Sequence, residues 1–175
     1  DFGLSDHYVA IVKAAILKNN PNQVIVDINH QIRPFDIKHA AIILKNTYHE
    51  FPEGTIHVIG VNAEPEINFN NPDESMMPCI AKFNGHFFIG NDNGIFSLIF
   101  GNKPPEEIYE ITELSSPDLL VFPTKSLLIP AVIKIVNGIE LDQIGTKKDS
   151  IKRALSISPV VEQNMIKGVI IHVDQ

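Results

Sequence analysis

The sequence predicts an α/β domain, a mainly parallel sheet flanked by helices. Three observations carry this. Short β-branched runs alternate with stretches of helical apolar spacing, the pattern of βαβ crossovers. The 175 residues suit one domain or one and a part. Hydrophobic residues make up 44% and charged residues 20%, as in an ordinary globular protein.

The chain opens on Asp1-Phe2-Gly3-Leu4-Ser5-Asp6, a short turn with a carboxylate at each end. Asp6 reads as the N-cap of a helix in which Tyr8, Val9, Ile11, Val12, Ala15 and Ile16 recur at helical spacing. Asp1 is expected at the end of a preceding strand, which in an open α/β sheet is the binding edge. A carboxylate there can accept two hydrogen bonds from a diol such as a ribose. These six residues alone fit a plain helix-capping loop equally well.

Val24 to Ile28 reads as a buried parallel strand, bounded by Pro21-Asn22 and Asn29. Asp36 is the expected cap of a second helix with Ile37, Ala40, Ala41 and Leu44 on its apolar face, and Pro52 and Gly54 mark its exit. Ile56 to Val61 is the next strand. Residues 62–78 are polar, include three prolines and read as a long loop, a place where function often resides. Asn84-Gly85 between two apolar runs predicts a hairpin, because a type I′ turn needs two positive φ angles. Gly94 to Phe100 reads as a short helix and Glu107 to Ile111 as a strand. Leu127 to Val136 reads as a helix with Pro130 in its first turn. Residues 142–162 show no clear period. Gly168 to Asp174 reads as a strand.

The net charge of −7 argues against a nucleic-acid surface, which needs clustered Lys and Arg. The one basic cluster, Lys147, Lys148, Lys152 and Arg153, is spaced as a solvated helix face. No apolar run reaches the roughly 18 residues of a membrane span. The single Cys79 forms no internal disulfide and suits a reducing compartment, so a cytoplasmic location is expected. It reads as a small packed residue rather than a nucleophile. The seven histidines form no close metal-binding pair, and no metal is expected. The Asp-Phe-Gly string lacks the other protein-kinase signatures, and there is no nucleophile elbow or phosphate-cradling Gly-rich loop.

The ordered set Asp1-Phe2-Gly3-x-x-Asp6, Val26-Asp27-Ile28-x-His30 and Pro34-Phe35-Asp36-Ile37 resembles the S-adenosylmethionine hydroxide adenosyltransferase family, of which fluorinases and chlorinases are relatives. Phe51-Pro52-x-Gly54-Thr55-Ile56-His57-Val58, Phe88-Ile89-Gly90-x-Asp92-Asn93-Gly94-Ile95 and Phe122 followed by Pro130-Ala131 continue it in order. Ile171-His172-Val173-Asp174 resembles the strand that opens that family's second domain, so the likeness runs over nearly the whole chain. It implies an α/β domain over residues 1–165 and the start of a second β domain, with residues 166–175 as a linker and the first strand of a C-terminal β domain otherwise absent from the sequence. It implies that residues 1–165 bind an adenosyl ligand, S-adenosyl-L-methionine or adenosine. It also implies attack of water or hydroxide on the ribose C5′, giving adenosine and L-methionine with no cofactor. The neutral thioether leaves without a general acid, so the tasks are to fix the ribose, align the nucleophile and dry the site. By the same resemblance Asp1 and Asp6 stand on the ribose side and Phe35 forms a wall against the nucleoside. Asn62, Phe122 and Thr124 fall at the nucleophile side. The resemblance further implies a homotrimer with the site between one subunit's first domain and a neighbour's second.

The hydrolytic pattern is broken. The resemblance implies an Asp-Arg-His set that orients and activates water, but Asn62 stands for the Asp, Phe69 lies near the Arg position and Pro123 stands for the His. An amide is no base near neutral pH. Loss of a general base costs about 10²–10⁴ in rate. Glu64, Glu66 or Lys125 are candidate replacements, with ordinary solvation as the plainer reading. Two functions stay open at this point: a slow S-adenosyl-L-methionine hydrolase, with no catalytic residue assigned, and a non-catalytic adenosyl-ligand-binding relative.

Overall fold

The Asn84-Gly85 turn organises the sheet. In a computed structural model, described for residues 1–71, 74–112, 121–155, 159–170 and 173, Asn84 has φ 49° and Gly85 φ 75°, the two positive angles the turn requires. The turn folds strand β2 (Pro78–Phe83) against β3 (His86–Asn91) in antiparallel register, with Phe83 opposite His86 and Pro78 opposite Asn91. Strand β1 (Ile56–Val58) pairs parallel to β3, while β4 (Glu107–Ile111) and β5 (Gly145–Lys147) add antiparallel beyond β2. The order is β1-β3-β2-β4-β5. The α/β class with flanking helices therefore holds, but the pairing is mixed rather than mainly parallel. The tight hairpin inserts two consecutive strands into the middle of the sheet, and consecutive strands joined by two residues can only run antiparallel.

Helices cover both faces. On one, Ala40, Ala41 and Leu44 of α2 (Ile37–Thr47) and Phe96, Ile99 and Phe100 of α3 (Ile95–Phe100) pack on Cys79, Ala81, Phe83 and Phe88. On the other, Ile16 of α1 (Tyr8–Asn19) and Ile129 and Val132 of α4 (Ile129–Val136) pack on Ile80, Ile89 and Tyr109. Alternate residues of one strand thus serve opposite cores, the period-two rule of a pleated strand. Each fully buried Phe or Ile contributes about 1.5–3 kcal/mol through removal from water.

The caps divide. Asp36 caps α2 as expected, its Oδ1 accepting from the His39 N–H at 2.9 Å. Asp6 does not cap α1. The cap residue is His7, without a side-chain bond, and Asp6 Oδ1 accepts from the His7 N–H at 2.7 Å. Asp6 lies one residue too early, and its short side chain is taken by the adjacent amide. A π-helical turn (Thr124–Leu128) leads into α4, so that helix begins earlier than its apolar run suggests. Pro130 has no N–H to offer the Ser126 carbonyl, and its ring crowds that carbonyl, which favours a widened turn.

Two further expectations fail. Val24 to Ile28 is in no strand, and Val24 and Val26 are 79% and 59% exposed. A parallel strand needs neighbours, and β1 is hydrogen-bonded to β3 alone among the described strands. The basic cluster is not a helix face. Lys147 ends β5, and Lys148 Nζ reaches the fully buried Asp92 at 2.9 Å while the Lys152 N–H donates to the same carboxylate at 3.0 Å. Near the end, an exposed hairpin of β6 (Val160–Glu162) and β7 (Met165–Lys167) forms a separate two-stranded sheet. The strand expected from Gly168 is not formed over residues 168–170 and 173, and the rest of it lies outside the described residues. No helix among the described residues is long and apolar enough to cross a membrane.

Candidate functional site

Asp1 gathers the site. Its Oδ2 accepts from the Phe35 N–H at 3.1 Å and, more weakly, from the Asn62 N–H at 3.4 Å. Residues separated by 34 and 61 positions thereby meet on one oxygen. Both donors lie in left-handed backbone, Phe35 at φ 65° and Asn62 at φ 48°. For a bulky residue such as Phe this is an outlier, the kind that clusters at ligand sites. Asn62 is fixed from below by two amides. Its carbonyl accepts from Asn93 Nδ2 at 3.1 Å and Asn91 Nδ2 at 3.4 Å, and Asn91 Nδ2 also donates to the Glu64 carbonyl at 2.7 Å. Asn91 Oδ1 is buried without a hydrogen-bond partner.

An aromatic corner stands beside this polar one. Phe2 stacks on Tyr8 at 5.9 Å and meets Phe122 edge-on at 5.4 Å, and Tyr8 meets Phe122 edge-on at 5.2 Å. Gly60 lets the corner close. A Cβ there would lie 3.1 Å from Phe2 Cζ and 3.2 Å from the buried Thr124 Oγ1. Asp1 and Thr124 both line a cavity of about 960 Å³, which residues 23–30 also line.

Of the six site residues expected from the sequence, Asp1, Phe35 and Asn62 converge directly, and Phe122 and Thr124 join through Phe2 and Gly60. Asp6 stands apart, exposed and ion-paired with His7. The backbone amide of His7 and then its charge hold the Asp6 carboxyl below the usual carboxylate range. Lys125 faces a different groove, with Lys18 and Ile133. Glu66 is tied by its backbone to Met76. Sequence reasoning missed Tyr8, Gly60, Asn91 and Asn93. Gly60, at the end of a β-branched run, was the one with a readable signal, since an isolated Gly there marks close approach.

The description "SAM hydroxide adenosyltransferase N-terminal domain" matches residues 1–145. The chain belongs to this family. It is 30% identical over 166 residues to a protein of Methanocaldococcus jannaschii named (R)-S-adenosyl-L-methionine hydrolase, covering 90% of this chain and 60% of that one. It is 32% identical over 109 residues to a Thermus thermophilus protein of the same name, covering 62% and 40%. A fluorinase of an Actinoplanes species is 22% identical over 197 residues, covering 99% and 66%. An uncharacterized conserved protein of Thermotoga maritima has the same fold, with a TM-score of 0.80 at 26% identity over 93% of this chain and 61% of that one. This family member thus spans 40–60% of the length of the two hydrolases it matches.

Two other groups take no part in the Asp1 bonds, although one of them, His57, lines the same cavity as Asp1 and Thr124. Burial pushes the Cys79 thiol up, so it stays protonated and unreactive. His57 and His86 face each other, Nε2 to Nδ1, at 3.2 Å within a shell of Tyr48, Phe51 and Phe88. Burial, and then the charge of His86, holds His57 down at about 4. Among the described residues no group of three or more His, Cys, Asp or Glu could hold a metal ion.

Proposed function

We propose that this protein binds the ribose of S-adenosyl-L-methionine at Asp1 and hydrolyses it slowly to adenosine and L-methionine. The supporting observation is the convergence of Phe35 and Asn62 on Asp1 Oδ2, which leaves Asp1 Oδ1 outside both bonds. In this reading the carboxylate accepts from the ribose hydroxyls, and the exposed Phe35 ring lies against the nucleoside. Water attacks C5′ in line, the C5′–S bond breaks, and methionine departs as a neutral thioether while the water loses its proton to solvent. Positioning and water exclusion supply the rate.

A specific observation favours the second reading, an adenosyl-binding relative without turnover. Asn62 is occupied as a backbone scaffold, Pro123 begins the π turn, and neither offers a base. The reading extends to residues 1–165 as the ligand-binding domain. Residues 166–175 then open a second β domain, in a cytoplasmic homotrimer whose neighbouring subunit completes the adenine side.

Incubation with S-adenosyl-L-methionine, followed by chromatography of adenosine and methionine, tests turnover. No product above the uncatalysed rate, together with calorimetric binding, selects the second reading. Asp1→Ala is expected to weaken adenosine binding at least tenfold. Unchanged affinity in calorimetry removes Asp1 from the site.

A further inference from the structure

Asp92 follows β3 directly and is fully buried, the one carboxylate among the described residues that is. Taking a carboxylate out of water is costly unless a cation and hydrogen bonds meet it. Both come from one segment, residues 148–154 after β5. Lys148 Nζ lies 2.9 Å from Oδ2, with Glu110 its weaker partner at 3.9 Å. The Lys152 N–H donates to Oδ1 at 3.0 Å and to Oδ2 at 3.2 Å. Further along, the Ala154 N–H donates to Ser97 Oγ at 2.9 Å, and that hydroxyl donates to the Gly94 carbonyl at 2.7 Å. A Cβ on Gly94 would lie 2.8 Å from the Ala154 Cβ. Residues 148–154 are thus fastened to residues 92–97 by charge, by backbone and by close packing.

The neighbours of Asp92 reach the candidate site. Asn93 Nδ2 donates to the Asn62 carbonyl at 3.1 Å and Asn91 Nδ2 to the Glu64 carbonyl at 2.7 Å. The Asn62 N–H in turn reaches Asp1 Oδ2. The backbone between the two amides is held by the Asp92 N–H on the Met77 carbonyl at 2.9 Å and by Asp92's side chain on residues 148 and 152. An apolar residue at 92 would be easier to bury, but it would leave the Lys152 amide without this acceptor and Lys148 without its counter-charge. We propose that Asp92 is a positioning residue: pinned by Lys148 and the Lys152 amide, it sets the Asn91 and Asn93 side chains that present the Asn62 N–H to Asp1. Its effect on a ligand rests on the adenosyl reading, and its effect on the Asn62 amide does not.

The test uses the full 175-residue chain. Asp92→Asn keeps the shape and removes the charge, and Lys148→Met removes the cation and keeps the stem. Amide hydrogen exchange is read at Asn62, with Ala81 and Phe88 of β2 and β3 as the internal reference for global stability, and adenosine affinity is read by calorimetry. Each variant is expected to speed exchange at Asn62 at least tenfold over the change at the reference amides and to weaken adenosine binding at least fivefold. Lys148→Arg is expected to restore both within about twofold. Lys147→Met, which removes a neighbouring charge that lies over the Tyr109 ring, is expected to change neither. Lys148→Met and Lys148→Arg carry the comparison if Asp92→Asn does not fold. Unchanged exchange at Asn62 overturns the proposal, and so does equal acceleration at Asn62 and the reference amides, which is the mark of lost stability alone. A wild-type chain that binds no adenosine sinks the adenosyl reading and leaves the exchange comparison to decide this inference.

Discussion

Strand β3 and the stretch 24–28 are both short apolar runs, yet they have opposite fates. β3 is bonded on each side, and Phe88 and Ile89 are fully buried. Residues 24–28, Val-Ile-Val-Asp-Ile, are the more apolar of the two and bond to no strand. The difference lies in the neighbours. β3 is delivered to β2 by a two-residue turn, whereas no turn joins 24–28 to a described strand. A strand is therefore a property of a pair, and apolar composition states only a capacity to form one.

The sharpest way to break this contrast is in the closed half. Phe88→Ala removes a ring packed on His57 at 4.9 Å and Phe100 at 5.0 Å. It is expected to cost about 3–5 kcal/mol in urea unfolding.

Acid is the next lever. The folded pKa of His57, about 4, lies below its ordinary 6.5, so between these values the unfolded chain binds more protons. Stability is then full above about pH 6.5 and falls as pH drops toward 4, by up to about 3 kcal/mol. Unfolding free energies measured across that range, with His57→Phe expected to flatten the profile, decide the matter.

Gly60→Ala probes the boundary between the halves. The added methyl must push the Phe2 ring by a few tenths of an ångström, at an expected cost of about 1 kcal/mol. A parallel loss of adenosine affinity would tie Phe2 to the site. The smallest effect is expected on the open side. Val26→Ser in the 175-residue chain is expected to shift stability by less than about 0.5 kcal/mol, as at other exposed positions.

What was legible in the sequence follows the same division. The Asn84-Gly85 hairpin and the Asp36 cap were readable because each is decided within four residues by backbone geometry. The mixed pairing was not, since nothing local states where a hairpin inserts. Nor was the link of Lys148 to Asp92, two residues 56 positions apart whose meeting depends on β5 finding β4. Of the residues that meet at Asp1 Oδ2, Asp1 and Phe35 were named through ordered motifs and Asn62 through the break in the hydrolytic pattern. Asp6 failed as a cap because a carboxylate one residue early bonds its neighbour. Asn91 and Asn93 gave no signal, because an amide that braces a carbonyl looks like any polar residue at a strand end.

The shared bond at Asp1 has an arithmetical consequence. A carboxylate offers about four acceptor positions. The Phe35 and Asn62 amides occupy two. About two remain, enough for the paired hydroxyls of one vicinal diol and for little else. In the proposed ribose reading, a deoxy sugar would leave one of them empty, and the lost valence would be felt as selectivity against nucleosides lacking the second hydroxyl.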